Sequence, residues 1–129
     1  MKKKLRTLKV GEESYLYSLQ VINLFDLEES IFVIRIFKDG FSKYPLLISF
    51  RTLDDYYVGN PLHHGVLLYN NKLLKEEVIN LNRPKFIRQA LDYGIRTGWN
   101  GIKDKMECDG LLLLVELGYD INKLRKNNI

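Results

Sequence analysis

Apolar and polar residues alternate in the first part of the chain. Between residues 15 and 21 every odd position is apolar, while Ser18 and Gln20 lie between them. A period of two is typical of a half-buried strand. A preceding strand over residues 5–10, joined through residues 11–13, is expected to pair with it as a hairpin.

Two more strands are predicted on either side of an Asp-Gly turn at residues 39–40. Residues 31–37 are β-branched or aromatic except for Arg35, which favours a central strand covered on both faces. The chain then reverses, because glycine accepts a positive φ without steric cost. The return strand is predicted over residues 44–51. Its positions expected to face the core are Leu46, Ile48 and Phe50.

A second hairpin is predicted further along. Residues 66–69 could pair with residues near Leu73 and Leu74 across Asn70-Asn71, since asparagine tolerates left-handed backbone geometry. The four strands predicted before this hairpin, up to residue 51, are expected to form an antiparallel meander.

The hydrophobic period changes near Pro84. Proline is favoured in the first turn of a helix, with Asn82 or Arg83 as the cap, and Gly98 is a suitable C-terminal stop. The residues predicted to face the core recur at spacings of three and four: Ile87, Ala90, Leu91, Gly94 and Ile95. Those predicted on the opposite side are Lys85, Arg88, Asp92 and Arg96.

Two shorter helices are expected after this one. The first begins at Cys108 or Asp109 and ends at Leu117 before a glycine, although its continuous apolar run leaves a buried strand open. The second follows Asp120 and packs Ile121 together with Leu124 on the core. Strands followed by helices, without alternation, indicate an α+β fold: an antiparallel meander packed against two or three C-terminal helices.

Composition supports one globular domain over residues 1–129, with 1–4 and 126–129 as flexible basic tails. The chain is 46% apolar and 28% charged, with a formal net charge of +4. Its longest apolar run, residues 111–115, is far shorter than the roughly 20 residues that cross a bilayer. Without an apolar leader, the chain is expected to be cytoplasmic. The single Cys108 fits a reducing compartment, and the neighbouring acids Glu107 and Asp109 should raise its thiol pKa.

The densest group of reactive side chains is residues 52–65, TLDDYYVGNPLHHG. Asp54 or Asp55 could orient His63 or His64 for acid–base chemistry, as in a histidine-dependent hydrolase or RNase. Adjacent histidines in an extended segment point to opposite sides, so a shared metal ion is disfavoured. The structural alternative is a turn with the tyrosines packed at the edge of the sheet. Nucleotide, serine-hydrolase and zinc-protease motifs are absent, so neither catalytic residues nor a cofactor are predicted.

Two binding functions compete with an enzyme. The helix cations Lys85, Arg88 and Arg96 could follow phosphates of a nucleic acid, although Asp92 lies in the same stripe. Trp99 either anchors the helix exit on the core or contacts a partner protein.

A resemblance to a known family favours the protein partner. The β-rich first half, the segment GNPLHHG, then INLNRPKFIRQALDYGIRTGW and LLLLVELGYDI resemble small bacterial immunity proteins encoded beside polymorphic or contact-dependent growth inhibition toxins, over about residues 15–121. The resemblance implies a cytoplasmic protein, not an enzyme, that neutralises a toxin domain, often a nuclease. Inhibitors of basic nucleases are expected to be acidic, whereas this chain is basic. Either the toxin presents an acidic surface, or local acidic patches such as Asp54-Asp55 and Glu76-Glu77 make the contacts while the tails stay free. The predicted partner contacts are Asp54, Asp55, Tyr56, Tyr57, Asn60, His63, His64 and Trp99.

Overall fold

The computed structural model describes residues 4–125. The predicted flexible tails therefore lie outside the described residues, apart from Lys4, whose side chain is exposed. The strands of the main sheet are β1 (Arg6–Val10), β2 (Glu13–Leu24), β3 (Glu29–Lys38), β4 (Leu46–Leu53) and β7 (Met106–Asp109). A separate hairpin consists of β5 (Val66–Asn70) and β6 (Lys75–Ile79). The helices are α1 (Pro61–His64), α2 (Pro84–Thr97) and α3 (Gly110–Glu116), with short 3-10 turns at Phe25–Leu27 and Asn122–Leu124.

The main sheet is mixed, in the order β1-β2-β3-β4-β7. Its first four strands pair antiparallel, which agrees with the predicted meander. The fifth strand was not predicted: β7 pairs parallel with β4, from Leu46 opposite Met106 to Ser49 opposite Asp109. The segment left open between helix and strand is divided between the two. Cys108 and Asp109, the predicted start of the helix, belong to β7, and α3 begins directly after them, where the Asp109 carboxylate accepts a hydrogen bond from Leu111 N. The predicted α+β class is confirmed.

The second hairpin has a longer turn than predicted. Leu73 and Leu74 do not pair but lie in the turn, exposed to solvent, and the return strand begins at Lys75. The Asn70 side chain determines this geometry, because its oxygen accepts hydrogen bonds from the backbone N–H of Lys72 (2.8 Å) and Leu73 (3.0 Å). An asparagine that bonds its own following backbone favours a turn over continued pairing.

The core lies between one face of the sheet and the helices. Leu46, Ile48 and Phe50 are fully buried, as predicted. Two glycines bring the helices unusually close to this face: a Cβ added at Gly94 of α2 would lie 2.8 Å from Leu46 Cδ1, and one at Gly110 of α3 would lie 2.6 Å from Phe50 Cγ. The close approach explains why glycine occurs inside α2, where it is otherwise unfavourable, and at the first position of α3.

The ends of α2 follow the sequence prediction, whereas one of its predicted core positions does not. The helix begins after Arg83, which caps it without a side-chain hydrogen bond, and stops at Gly98, where φ is 122°. Ile95 was expected on the core but is 47% exposed. Because Gly94 brings α2 against Leu46, the contact centres on residues 87, 90, 91 and 94, and Ile95 lies at its margin.

Candidate protein-binding site

Two turns meet at one end of the main sheet. The last paired residues there are Leu24 with Glu29 and Glu29 with Leu53, so the turn at 25–28 and the segment after β4 leave the sheet side by side. A backbone hydrogen bond from Asp54 N to the carbonyl of Glu28 (2.9 Å) joins them. The sheet itself therefore positions both turns as one surface.

Buried hydrogen bonds hold the base of the second turn. The hydroxyl of Ser30 donates to Asp54, and the Asn60 amide donates to Ser30 Oγ (2.8 Å). The Asn60 oxygen also accepts from Leu62 N (3.0 Å) and His63 N (3.1 Å), which caps α1. Ser30 and Asn60 are almost completely buried. Asn60 thus anchors the loop, and its almost completely buried side chain offers a partner very little of the contact surface that the sequence prediction assigned to it.

The tip of the loop is a short turn organised by Asp55. Its carboxylate accepts hydrogen bonds from Tyr57 N (2.8 Å) and Val58 N (3.2 Å), and its backbone pairs with that of Gly59 in both directions (2.6 and 3.0 Å). Gly59 has a φ of 81°, a left-handed conformation that favours glycine. Asp55 therefore holds the backbone of the turn, and this fixes the direction in which Tyr56 and Tyr57 project.

Those two residues are tyrosines that project into solvent. Tyr56 is 92% exposed and Tyr57 is 89% exposed, with their rings edge to face at 5.0 Å. The alternative that they pack at the edge of the sheet is therefore excluded. Phe25, Leu27 and Val58 are also exposed on the two joined turns. We call this set the end patch: Phe25, Leu27, Tyr56, Tyr57 and Val58.

The two histidines lie beside the base of this loop without a carboxylate partner in the described residues. They belong to the single turn α1, where their rings touch edge to face at 4.9 Å instead of pointing to opposite sides as predicted. Asn82 donates to the His63 carbonyl (2.9 Å), and His63 packs on Phe32 at 6.1 Å. Asp54 and Asp55 are bonded elsewhere, so the hypothetical acid–base pair is not assembled. Within residues 4–125 no cluster of three metal-binding side chains occurs.

Trp99 is a core anchor. Its side chain is only 3% exposed, its indole N–H donates to the Tyr44 carbonyl (3.0 Å), and its ring packs against Tyr15 at 6.2 Å. Of its two predicted roles the first is therefore observed, since a buried tryptophan with a satisfied N–H offers no contact area to a partner.

The cations of α2 are engaged by acids. Lys85 lies 3.9 Å from Glu77, Arg88 lies 3.2 Å from Asp92, and Arg96 lies 2.6 Å from Glu116. Arg96 binds Glu116 through both of its terminal nitrogens, and this hydrogen bonding lowers the pKa of the Glu116 carboxyl. A phosphate backbone would have to compete with these carboxylates for each cation.

The thiol of Cys108 has a raised pKa, as predicted, but for a different reason. Burial between β7 and the core raises the pKa, whereas the neighbouring acids were expected to do so. Glu107 and Asp109 point to the other face of the sheet because side chains alternate along a strand. A thiol protonated in this way is a poor nucleophile.

A surface hollow of about 500 Å³ lies away from the predicted residues. It is lined on the open face of the sheet by Glu29, Arg51, Asp109 and Arg125, among others. Arg51 binds Glu29 at 2.9 Å and Asp109 caps α3. These three charged side chains therefore make structural interactions within the protein. The sequence indicated this hollow only weakly, because Glu29, Arg51 and Asp109 are charged strand residues that alternate with core residues.

Comparison with known proteins gave no family model, curated protein or solved structure that matches the chain. Among residues 4–125, none of the helices has the length and apolar character needed to cross a membrane.

Proposed function

We propose that this chain is a protein-binding immunity protein that neutralises a bacterial toxin domain by contacting it through the end patch. The observation that carries the proposal is the pair Tyr56 and Tyr57, almost fully exposed on a turn whose backbone is fixed by Asp55. Exposed aromatic side chains of this kind are enriched at the energetic centres of protein interfaces.

The geometry of the turn favours binding. Ordering flexible side chains on association costs free energy, and a preformed turn reduces that cost. Here the Asp55 carboxylate and the Gly59 backbone hold the turn before any partner arrives. Tyrosine adds a large contact area with few rotatable bonds. The turn thus supports tight contact without rearrangement of the fold.

Charge around the end patch is acidic, although the chain as a whole is basic. Asp26 and Glu28 lie in the first turn and Asp54 and Asp55 in the second, and residues 25–28 and 54–58 contain no Lys or Arg. Acidic residues on both turns, beside the exposed aromatic side chains, complement a basic protein surface, such as the substrate-binding face of a nuclease. This local charge supports a basic toxin as the partner despite the net charge of +4. The same carboxylates would repel the phosphates of a nucleic acid.

The proposal is tested with the C-terminal domain of a large secreted protein encoded beside this chain, if one is found. We expect the two purified proteins to form a complex and the chain to protect cells that express that domain. Tyr56→Ala and Tyr57→Ala should each weaken the complex by about 30-fold, which corresponds to the roughly 2 kcal/mol of an interface hot spot. Their melting temperatures should not change, because both rings are exposed.

Tyr69→Ala is the matched control. Tyr69 is a partly exposed tyrosine on β5, outside the end patch, and its replacement should leave the affinity unchanged. The proposal fails if the chain neither binds nor protects against the neighbouring domain, or if the end-patch variants bind as tightly as the original chain. A salt-sensitive complex with RNA that is lost when Lys85, Arg88 and Arg96 are changed to glutamate would instead favour the nucleic-acid function.

A further inference from the structure

One strand of the main sheet is paired along only part of its outer edge. β2 runs from Glu13 to Leu24, but β1 covers it only from Glu13 to Tyr17. The other edge of β2 is paired with β3 from Tyr15 to Leu24. The outer edge from Ser18 to Leu24 therefore has no strand beside it in the described part of the chain.

This segment lacks the features that protect exposed strand edges. Its sequence, SLQVINL, contains no charge, proline or glycine, and Gln20 and Ile22 are exposed. Natural proteins usually protect such edges with charged residues, short strands or a covering segment. An unpaired, uncharged edge of this length is suited to pairing with another strand.

Several other strand edges in the described part of the chain are protected. The outer strand β1 carries Arg6 and Lys9 in its five residues, and the edge strand β7 has only four. The edge of β5 is covered by the C-terminal segment: Asp120 N donates to the Tyr69 carbonyl (2.8 Å) and Lys123 Nζ to the Leu67 carbonyl (2.7 Å). Within residues 4–125, residues 18–24 are therefore the longest uncharged stretch of unpaired strand edge.

We propose that this edge pairs with the same edge of a second copy of the chain, antiparallel and about a twofold axis at Val21. Ser18 then lies opposite Leu24 of the other copy, and Gln20 opposite Ile22. This register pairs even positions with even positions, so the core-facing side chains of both copies stay on one side. The two five-stranded sheets become continuous across the axis.

The charges that flank the edge favour a second copy over an unrelated strand. Lys4 and Arg6 line a hollow with Ser18 at one end, and Asp26 and Glu28 follow Leu24 at the other. All four side chains are exposed. Antiparallel pairing brings the basic end of each copy to the acidic end of its partner, so attraction occurs at both ends. A twofold pair also uses the edge completely and does not grow into a fibre.

Sedimentation velocity of the full chain at increasing concentration tests this proposal. We expect a reversible monomer–dimer equilibrium that weakens with salt, because the ends attract by charge. The double variant Gln20→Lys with Ile22→Lys places two new lysines opposite each other at both symmetric positions. The dimer should dissociate at least about tenfold more readily, since like charges directly opposite are destabilising.

A charge-swapped variant is the matched control. Gln20→Lys with Ile22→Glu changes the same two positions but places opposite charges together across the axis, and it should restore the dimer. Thr7→Lys, on β1, should have no effect. A chain that stays monomeric at every concentration, a dimer unaffected by the two lysines, or a charge-swapped variant as monomeric as the lysine variant would each overturn the proposal. The measurement uses the chain alone, so its outcome is independent of toxin binding.

Discussion

The close approach of α3 to the sheet makes a specific stability prediction. Gly110 is the first residue of α3, and the fully buried ring of Phe50 lies directly beneath it. A methyl group in the variant Gly110→Ala would lie 2.6 Å from Phe50 Cγ, against the roughly 3.5–4.0 Å at which carbon atoms normally meet. Either the helix or the ring must move.

Neither can move freely. Phe50 packs edge to face on Phe32 at 6.4 Å, and Asp109 fixes the start of α3 through its hydrogen bond to Leu111 N. Overpacking a tight core costs about 1–3 kcal/mol, whereas removing a glycine from a helix gains at most about 1 kcal/mol. We therefore expect Gly110→Ala to lower the free energy of unfolding by about 1–2 kcal/mol. For a chain of this length that corresponds to a fall of about 4–8 °C in melting temperature.

Urea unfolding followed by circular dichroism measures the effect. Val115→Ala, at an exposed position of the same helix, is the control and should change stability by less than about 0.5 kcal/mol. Phe50→Leu removes part of the ring, so the double variant should be more stable than the sum of the single changes by about 1 kcal/mol. An unchanged or raised stability of Gly110→Ala would refute the close packing of α3 on Phe50.

Two further predictions address the site residues and pH. Trp99→Phe removes the hydrogen bond to the Tyr44 carbonyl and should destabilise the fold by about 1–3 kcal/mol, with no change in toxin affinity measured on the folded variant; a selective loss of affinity would return Trp99 to the interface. The Arg96 hydrogen bonds lower the pKa of Glu116 below its ordinary value of 4.5, so their contribution to stability is present above that pH and is lost as the pH falls through the lowered value. Glu116→Gln should therefore be slightly less stable than the original chain at neutral pH and equally stable in strong acid, as measured by melting curves; a difference that persists in strong acid would contradict this.

The parts of the fold with local signals were predictable from sequence. The hairpin at Asp39-Gly40 and the helix between Pro84 and Gly98 depend on the backbone preferences of glycine and proline, which act within a few residues. Strand β7 escaped prediction because its four residues carry no clear period and it pairs parallel with β4, more than fifty residues earlier. Only the completed sheet gives such a segment a partner.

The candidate site was predictable only in part. The segment from Asp54 to Gly59 was recognised by its composition, but the roles of its residues depend on contacts made by the fold. Asn60 is buried because Ser30 of β3 lies beneath it. Phe25 belongs to the end patch because β2 ends and β3 begins at this end of the sheet. Contacts between residues that lie so far apart in the sequence could not be predicted from local patterns. The joint surface of two turns thus required the register of the sheet.

The parallel pairing of β7 with β4 affects the order in which the protein becomes complete during synthesis. Strands β1 to β4 leave the ribosome first and can form their antiparallel ladders at once. The free edge of β4 is paired only after Met106–Asp109 is synthesised, and the face around Phe50 is covered only after α3 is synthesised. A nascent chain that stalls after α2 would therefore expose the unpaired edge of β4, which is open to misassembly.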